Sequence, residues 1–322
     1  MKKSLLALAV LALAAGTASA QSSVTIYGKV DLGLGKTIAS NDKQVRDAGG
    51  SRLGFRGQED LGGGMFAIFG FEHRLNPDTG ASTSGTFWNG YSWVGVRAGF
   101  GQLTLGRHYV AAFTDIQNQI DPFGGDTVAA LRDISIRPGA TSASLLTATT
   151  GAISKTRVAD SLRYDITAAG VKFAASFGEA PVGSPDRPWS VAANYSAGPL
   201  FVGAGYEDPE GANDKLFSIG ARYGFGPVTL RLGYSDGKNN TGTGQKIRGF
   251  LVGATIKAGP GDVLVGYGMS KNRTTSTDLS KKWGVGYRYP MSKRTFLYAD
   301  IARDSVPTTE KGGYDVGIQH NF

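Results

Sequence analysis

Tyr314-Asp315-Val316-Gly317-Ile318-Gln319-His320-Asn321-Phe322 alternates without a break. Tyr314, Val316, Ile318, His320 and Phe322 fall on one face; Asp315, Gly317, Gln319 and Asn321 fall on the other. A period of two marks a β-strand with one apolar and one polar face. The pattern recurs upstream. Val228, Leu230, Leu232 and Tyr234 oppose Thr229, Arg231, Gly233 and Ser235. Trp283, Val285, Tyr287 and Tyr289 oppose Lys282, Gly284, Gly286 and Arg288. Val24, Ile26, Val30, Leu32 and Leu34 oppose Tyr27, Lys29 and Asp31. Between Phe250 and Ile256 the same alternation holds, with Leu251 as its exception.

The connections decide what kind of sheet this is. Seven are short: 61–64, 98–101, 167–170, 196–199, 224–227, 258–262 and 290–293. Between them lie eight longer polar stretches, near 37–48, 76–85, 109–157, 179–187, 209–213, 237–245, 272–280 and 304–311. Seven turns and eight loops separate sixteen strands. A soluble β-sandwich also has two-faced strands, but it gives no reason for short and long connections to alternate. A membrane barrel does, with tight turns at one end and loops at the other. Tyr223, Phe225, Tyr287, Tyr289 and Phe322 at strand ends fit aromatic girdles. In lipid every backbone group needs a partner, so the sheet must close. Sixteen strands make a barrel too wide for side chains to fill, and it encloses an aqueous lumen. The expected fold is all-β: a 16-stranded antiparallel transmembrane β-barrel, spanning residues 21–322.

The N-terminal stretch stands apart. Lys2 and Lys3 precede an apolar run from Leu5 to Ala15, followed by Ala18-Ser19-Ala20. That is the form of a secretory signal peptide over 1–20, cut between Ala20 and Gln21. The run is too short to span a bilayer, and no other segment reaches ~18 apolar residues.

Composition agrees. Glycine is 48 of 322 residues, about twice the usual share of ~7%. There is no cysteine, which excludes a disulfide framework in an exported chain. The net charge is +8, and the basic residues are scattered rather than clustered. That suits a lining better than a nucleic-acid-binding tail. The three histidines, His73, His108 and His320, show no metal-ligand spacing. Gly62-Gly63-Gly64 is a turn rather than a phosphate cradle, since no Lys-Ser/Thr follows it into a helix. No enzyme, metal or cofactor is expected, and no nucleic-acid partner. His320, on the apolar face of the last strand, reads as an interfacial or subunit-contact residue.

One loop is anomalous. From Tyr109 to about Thr156 the alternation stops for far longer than the ~15 residues usual in a compact domain. It holds Asp115, then Asp121-Pro122-Phe123-Gly124-Gly125-Asp126, and 128–134 suits a helical turn or two. Folded into the lumen, it would narrow the opening and present carboxylates. The plainer reading is an exposed loop, with Asp121 a turn former beside Pro122.

Gly49-Gly50-Ser51-Arg52-Leu53-Gly54-Phe55-Arg56-Gly57-Gln58-Glu59-Asp60-Leu61-Gly62-Gly63-Gly64 resembles the second-hairpin signature of Gram-negative trimeric porins of the β-proteobacterial type. Phe100-Gly101-Gln102-Leu103-Thr104-Leu105-Gly106-Arg107 is similar to the strand before their constriction loop. Met291-Ser292-Lys293-Arg294-Thr295 and Phe322 match their last hairpin and C-terminal assembly signal. The resemblance implies a homotrimer, each barrel with its own channel and an inward-folded third extracellular loop. It implies Arg52 and Arg157 as wall arginines, Glu72 as a wall carboxylate and Asp121 as an acidic loop position. A family arginine falls near Gly90 here and is missing; Arg56 or Arg74 could take its place. With Asp115, the expected constriction is Arg52, Arg56, Glu72, Arg74, Asp115, Asp121 and Arg157.

The expected activity is passive diffusion of small hydrophilic solutes and ions in the bacterial outer membrane, with a modest anion preference. The alternatives are a substrate-specific channel for phosphate or organic acids, or a plugged structural or adhesive barrel. The expected partners are outer-membrane lipid and lipopolysaccharide, and the barrel-assembly machinery that reads Phe322.

Overall fold

The structure is a computed structural model that describes residues 22–138, 153–184, 186–211, 213–239 and 244–322. The expected signal peptide over 1–20 and its cleavage junction lie outside the described residues, as does 139–152 of the long loop.

The barrel strands are β1 (Ser23–Lys36), β2 (Arg52–Gly62), β3 (Met65–Asn76), β4 (Tyr91–Ala98), β5 (Gly101–Tyr109), β6 (Arg157–Ala168), β7 (Val171–Gly178) and β8 (Trp189–Ala197). They continue as β9 (Leu200–Asp208), β10 (Lys215–Phe225), β11 (Val228–Lys238), β12 (Lys246–Ala258), β13 (Gly261–Asn272), β14 (Thr277–Pro290), β15 (Thr295–Asp304) and β16 (Gly312–Asn321). Each pairs antiparallel with the next, and β16 pairs with β1, so the 16-stranded sheet closes. Two further short strands, Lys43–Arg46 and Ala81–Ser82, extend this sheet within loops. All seven tight turns fall where the sequence puts them. One loop is shorter than expected. β13 and β14 pair as far as Asn272 and Thr277 across a bulge at Ser270, so the connection shrinks to 273–276.

The two faces of the sheet separate by chemistry. Val24, Ile26, Leu230, Leu232, Val316 and Ile318 are exposed, while Asp31, Ser235 and Asp315 are buried. That inverts a soluble protein, where exposed apolar residues would carry a hydration penalty; an outer wall in lipid carries none. At the seam, Gly28 N donates to Phe322 O at 2.9 Å and Phe322 N to Gly28 O at 3.1 Å. The Phe322 ring fills the space a Gly28 side chain would need. His320 stacks on that ring at 6.4 Å and bonds Thr295 Oγ1 through Nδ1 at 2.8 Å.

The largest apolar cluster is not within the sheet. It lies between the segment after β5 and the polar face, where Ile120, Phe123, Leu131 and Ile136 pack with Leu251 and Leu264 of β12 and β13. Leu251 therefore breaks the alternation for a reason: its face is covered by the segment, and it is fully buried.

Candidate functional site

The site starts on the β2–β3 hairpin. Arg52 and Arg56 project from β2, and Glu72 and Arg74 from β3, all with the parity opposite to exposed Leu53. Register sets Arg52 directly against Arg74. Like charges paired across a ladder repel, so they need acceptors. Gly50 supplies one: its carbonyl accepts from Arg52 Nε at 3.2 Å and from Arg74 Nη1 at 3.1 Å. Gly50 holds φ +66°, a left-handed conformation that favours glycine.

Glu72 supplies the other. Buried at 3% exposure, it accepts from Arg74 Nε at 2.8 Å, Tyr27 Oη at 3.1 Å and Tyr109 Oη at 3.1 Å. Tyr27 also contacts Tyr91 through the two hydroxyls, and Arg74 donates to Tyr109. Arg157, at the start of β6, donates to the same Tyr109 hydroxyl at 2.7 Å and lies over its ring at 4.4 Å. Arg56 lies over the Tyr27 ring at 5.3 Å. Lys29 adds a cation paired with Asp126 of the long loop at 2.7 Å. Among the described residues, Arg52, Arg56 and Arg157 form no ion pair, so the cluster is net positive.

Gly90, where the missing arginine falls, meets Glu72 closely. A Cβ there would lie 2.6 Å from Glu72 Oε1 and 2.7 Å from its backbone oxygen. No side chain fits, and it is Arg74 that reaches Glu72 instead.

The described parts of the long loop, 110–138 and 153–156, are bonded to the polar face at many points. Helix α1 (Ala111–Asp115) has its first backbone donors taken by strand serines: Ala111 N by Ser176 Oγ at 3.2 Å and Ala112 N by Ser190 Oγ at 2.9 Å. Gln117 and Ser154 both donate to buried Glu207 of β9, at 2.7 and 2.6 Å. Lys282 of β14 donates to Ala130 O at 2.7 Å, and Val128 N donates to Asp315 of β16. Helix α2 (Arg132–Ser135) rests on β12 and β13, and Ser235 Oγ of β11 donates to Ser135 O at 3.2 Å.

The two loop carboxylates go elsewhere than the Glu72 cluster. Asp115 pairs with Arg163 of β6 at 2.7 Å and with Lys172 of β7. Asp121 accepts from the backbone N–H groups of Phe123, Leu131 and Arg132 at 2.9, 2.7 and 2.8 Å. Those bonds fold the loop onto itself. Burial raises the Asp121 carboxyl above its ordinary range despite the three donors. Asp133 runs the other way. Burial would raise it, but Arg132 and Arg137 beside it prevail and hold it well below the carboxylate range.

Of the seven expected residues, five meet at one wall cluster and two serve the loop. The sequence reading passed over Tyr27, Tyr91 and Tyr109, the hydroxyls that join this cluster. Tyr27 and Lys29 carry the inward parity; for Tyr91 and Tyr109 no local signal exists.

Comparison with known proteins adds the following. A family profile described as Gram-negative porin matches residues 7–309. Outer membrane porin protein 32 of Delftia acidovorans is 46% identical over 116 residues, covering 34% of this chain and 32% of its own length. Major outer membrane protein P.IB of Neisseria meningitidis serogroup B is 38% identical over 117 residues, 33% of this chain and 34% of that protein. The matched stretches thus span about a third of these relatives. A solved anion-selective porin from Comamonas acidovorans superimposes with a TM-score of 0.78 at 24% identity, over 94% of this chain and 100% of that one. A trimer form of OmpT, an outer membrane protein of Vibrio cholerae, gives 0.66 at 14% identity, over 94% and 99%.

Proposed function

This chain belongs to the Gram-negative porin family, and from that premise we propose that it forms a water-filled channel in the outer membrane. Small hydrophilic solutes and ions pass down their gradients, with a modest preference for anions. The supporting observation is the unequal charge of the wall cluster: three guanidiniums, on Arg52, Arg56 and Arg157, have no carboxylate partner among the described residues.

The reasoning is geometric. A closed barrel with an apolar outer wall has its polar face inside. A loop bonded to that face from β6 around to β16 lies in the lumen and narrows it. What remains open is bounded by the Glu72–Arg74 cluster. Charges around a narrow aqueous gap between low-dielectric walls act above their bulk strength, because the walls focus the field. Rings of one sign bias ion choice. Permeation needs no chemical step, so no catalytic group is required.

The family, and a relative solved in a trimer form, support a homotrimer. Phe322 is proposed as the signal read by the assembly machinery, its ring seated on Gly28 at the closing seam. Single-channel recording in planar bilayers tests the whole proposal. Open channels closing in groups of three, with a reversal potential of anion sign, are expected; a silent bilayer or cation selectivity would refute it. Saturable block by one anion would instead favour a substrate-specific channel, to which the same arginines and tyrosine hydroxyls are suited.

A further inference from the structure

We propose that Arg222 and Arg231 form a seat for a divalent oxyanion, such as sulfate or hydrogen phosphate, on the tight-turn side of the long loop and apart from the Glu72 cluster. The proposal rests on the reading that the polar face bounds an aqueous lumen, and adds to it a second anion contact.

Register brings the two arginines together. Arg222 of β10 and Arg231 of β11 are direct partners across the ladder, about 5 Å apart at Cα. They share the parity of the buried inward positions Ser218, Gly220, Gly233 and Ser235, yet both keep part of their surface open. Like charges directly opposite one another destabilise a sheet. At Arg52 and Arg74 the Gly50 carbonyl and Glu72 relieve that repulsion. At Arg222 and Arg231 nothing comparable is in place: among the described residues neither has an ion pair. The inward carboxylates on either side are engaged elsewhere. Asp115 and Asp165 are shared by Arg163 and Lys172, and Asp262 is held by Lys257 at 2.8 Å. Asp121 spends both its oxygens on backbone N–H groups of the loop.

The two heads lean apart. Arg222 faces Phe201 of β9 across the ladder and lies over its ring at 5.3 Å. Arg231 faces Gly253 of β12, where no side chain stands in its way, and donates through Nη1 to Thr255 Oγ1 at 2.6 Å. Its buried Nε has no acceptor among the described residues. Guanidinium N–H groups match the oxygens of an oxyanion. The ladder holds both in place before an anion arrives, so little ordering is lost on binding. Two fixed cations favour a divalent anion over a monovalent one, since each pair energy scales with the product of the charges.

The loop sets where the seat lies. Gly220 and Gly233, the next inward pair toward the loop end, carry Ile120 of the long loop. The arginines stand two residues beyond that contact, about 7 Å at ~3.3 Å per residue. An anion that has cleared the narrowed opening on this side meets them before the mouth.

The test uses the full-length protein in planar bilayers, bathed in chloride at about 0.1 M, where the Debye length is ~10 Å. Sulfate, and separately hydrogen phosphate at alkaline pH, should each reduce the chloride current saturably. Removing one charge ~5 Å from a dianion in water at this salt weakens its binding about five-fold. Arg222→Gln and Arg231→Gln should therefore each raise the half-blocking concentration about five-fold, and Arg222→Lys should restore it. Crystals soaked in selenate read the seat without any current. An anomalous peak between Arg222 and Arg231 is expected in the wild type and not in Arg222→Gln. A current blocked by neither anion would overturn the proposal, as would a block relieved by Arg52→Gln and not by Arg222→Gln. So would a soaked wild-type crystal without the peak. Silent bilayers with the peak present would refute the channel and leave the seat standing.

Discussion

Arg56→Gln tests the selectivity argument most cleanly. Arg56 is exposed, has no ion pair among the described residues, and its one close contact of note is the Tyr27 ring. The substitution therefore removes one charge and leaves the buried hydrogen-bond network intact. An ion passing ~8 Å from the guanidinium feels about 0.5 kcal/mol in water. A Debye length of ~10 Å at 0.1 M salt cuts that to about half. The energy has opposite sign for anions and cations, so the permeability ratio changes by about 0.5 kcal/mol, or roughly two-fold. At 0.01 M salt the Debye length is ~30 Å and the change grows to between three- and four-fold. Focusing by the walls only enlarges these figures. The assay is the reversal potential in a potassium chloride gradient, for wild type, Arg56→Gln and the charge-conserving Arg56→Lys. Arg56→Gln should lower the anion-to-cation ratio, more at low salt; Arg56→Lys should restore it. An unchanged ratio in Arg56→Gln, or an equal fall in Arg56→Lys, would refute the assignment of Arg56 to the open gap.

Three further outcomes follow from the same geometry. Glu72→Gln removes the carboxylate buried beside Arg74; it should raise anion preference and cost about 3–5 kcal/mol, the scale of a broken buried pair, read as a lower midpoint of heat denaturation on gels. Because Asp133 is held below its ordinary value, its contribution is complete above the unfolded value of ~4 and is lost as pH falls from there toward the folded value. Open-channel current noise should therefore rise in acid, and Asp133→Asn should show the same noise at neutral pH; a quiet Asp133→Asn channel would refute a role for the pairing of Asp133 with Arg132 and Arg137 in holding the loop's shape. Gly249→Ala places a Cβ 1.6 Å from Ser135 O, so α2 must shift, at an overpacking cost of about 1–3 kcal/mol; conductance equal to wild type would show that α2 does not border the channel.

The strand count and both faces were legible because they follow from period two and from turn chemistry, which are local. The long loop was legible only as an interruption. Its path depends on partners far away in sequence: Glu207, Lys282 and Asp315 carry no mark that distinguishes them from other inward polar residues. Leu251 was a visible clue, an apolar residue on a polar face, and its burial under the loop explains it. Among site residues, Arg52, Arg56, Glu72 and Arg74 share one hairpin, and alternation placed them. Asp121 could be read from Pro122 as a turn former or as a channel charge. Its bonds to three backbone N–H groups give it a folding task, which spacing along the chain could not distinguish.

The polar face is divided between two uses, and the division orients the field. Beneath the loop the wall is pared to glycine, at least one on each of six consecutive strands. At Gly205, Gly220, Gly233, Gly253, Gly266 and Gly284 a Cβ would lie 2.5–2.9 Å from loop atoms. Side chains there would hold the loop off the wall and push it across the lumen. Away from these strands, on β1–β3, the inward positions are long and charged: Lys29, Arg52, Arg56, Glu72 and Arg74. Thin wall and loop thus occupy one side, while Arg52, Arg56 and Arg157 stand on the other; Arg222 and Arg231 of β10 and β11, also without an ion pair among the described residues, lie nearer the tight-turn end. A lumen with cations on one side has a transverse field, whatever its net charge. That field turns dipolar solutes and disfavours apolar ones, which cannot be compensated for the water they lose. The glycine row therefore bears on selectivity without touching a solute: it decides which side of the opening the loop leaves to the arginines.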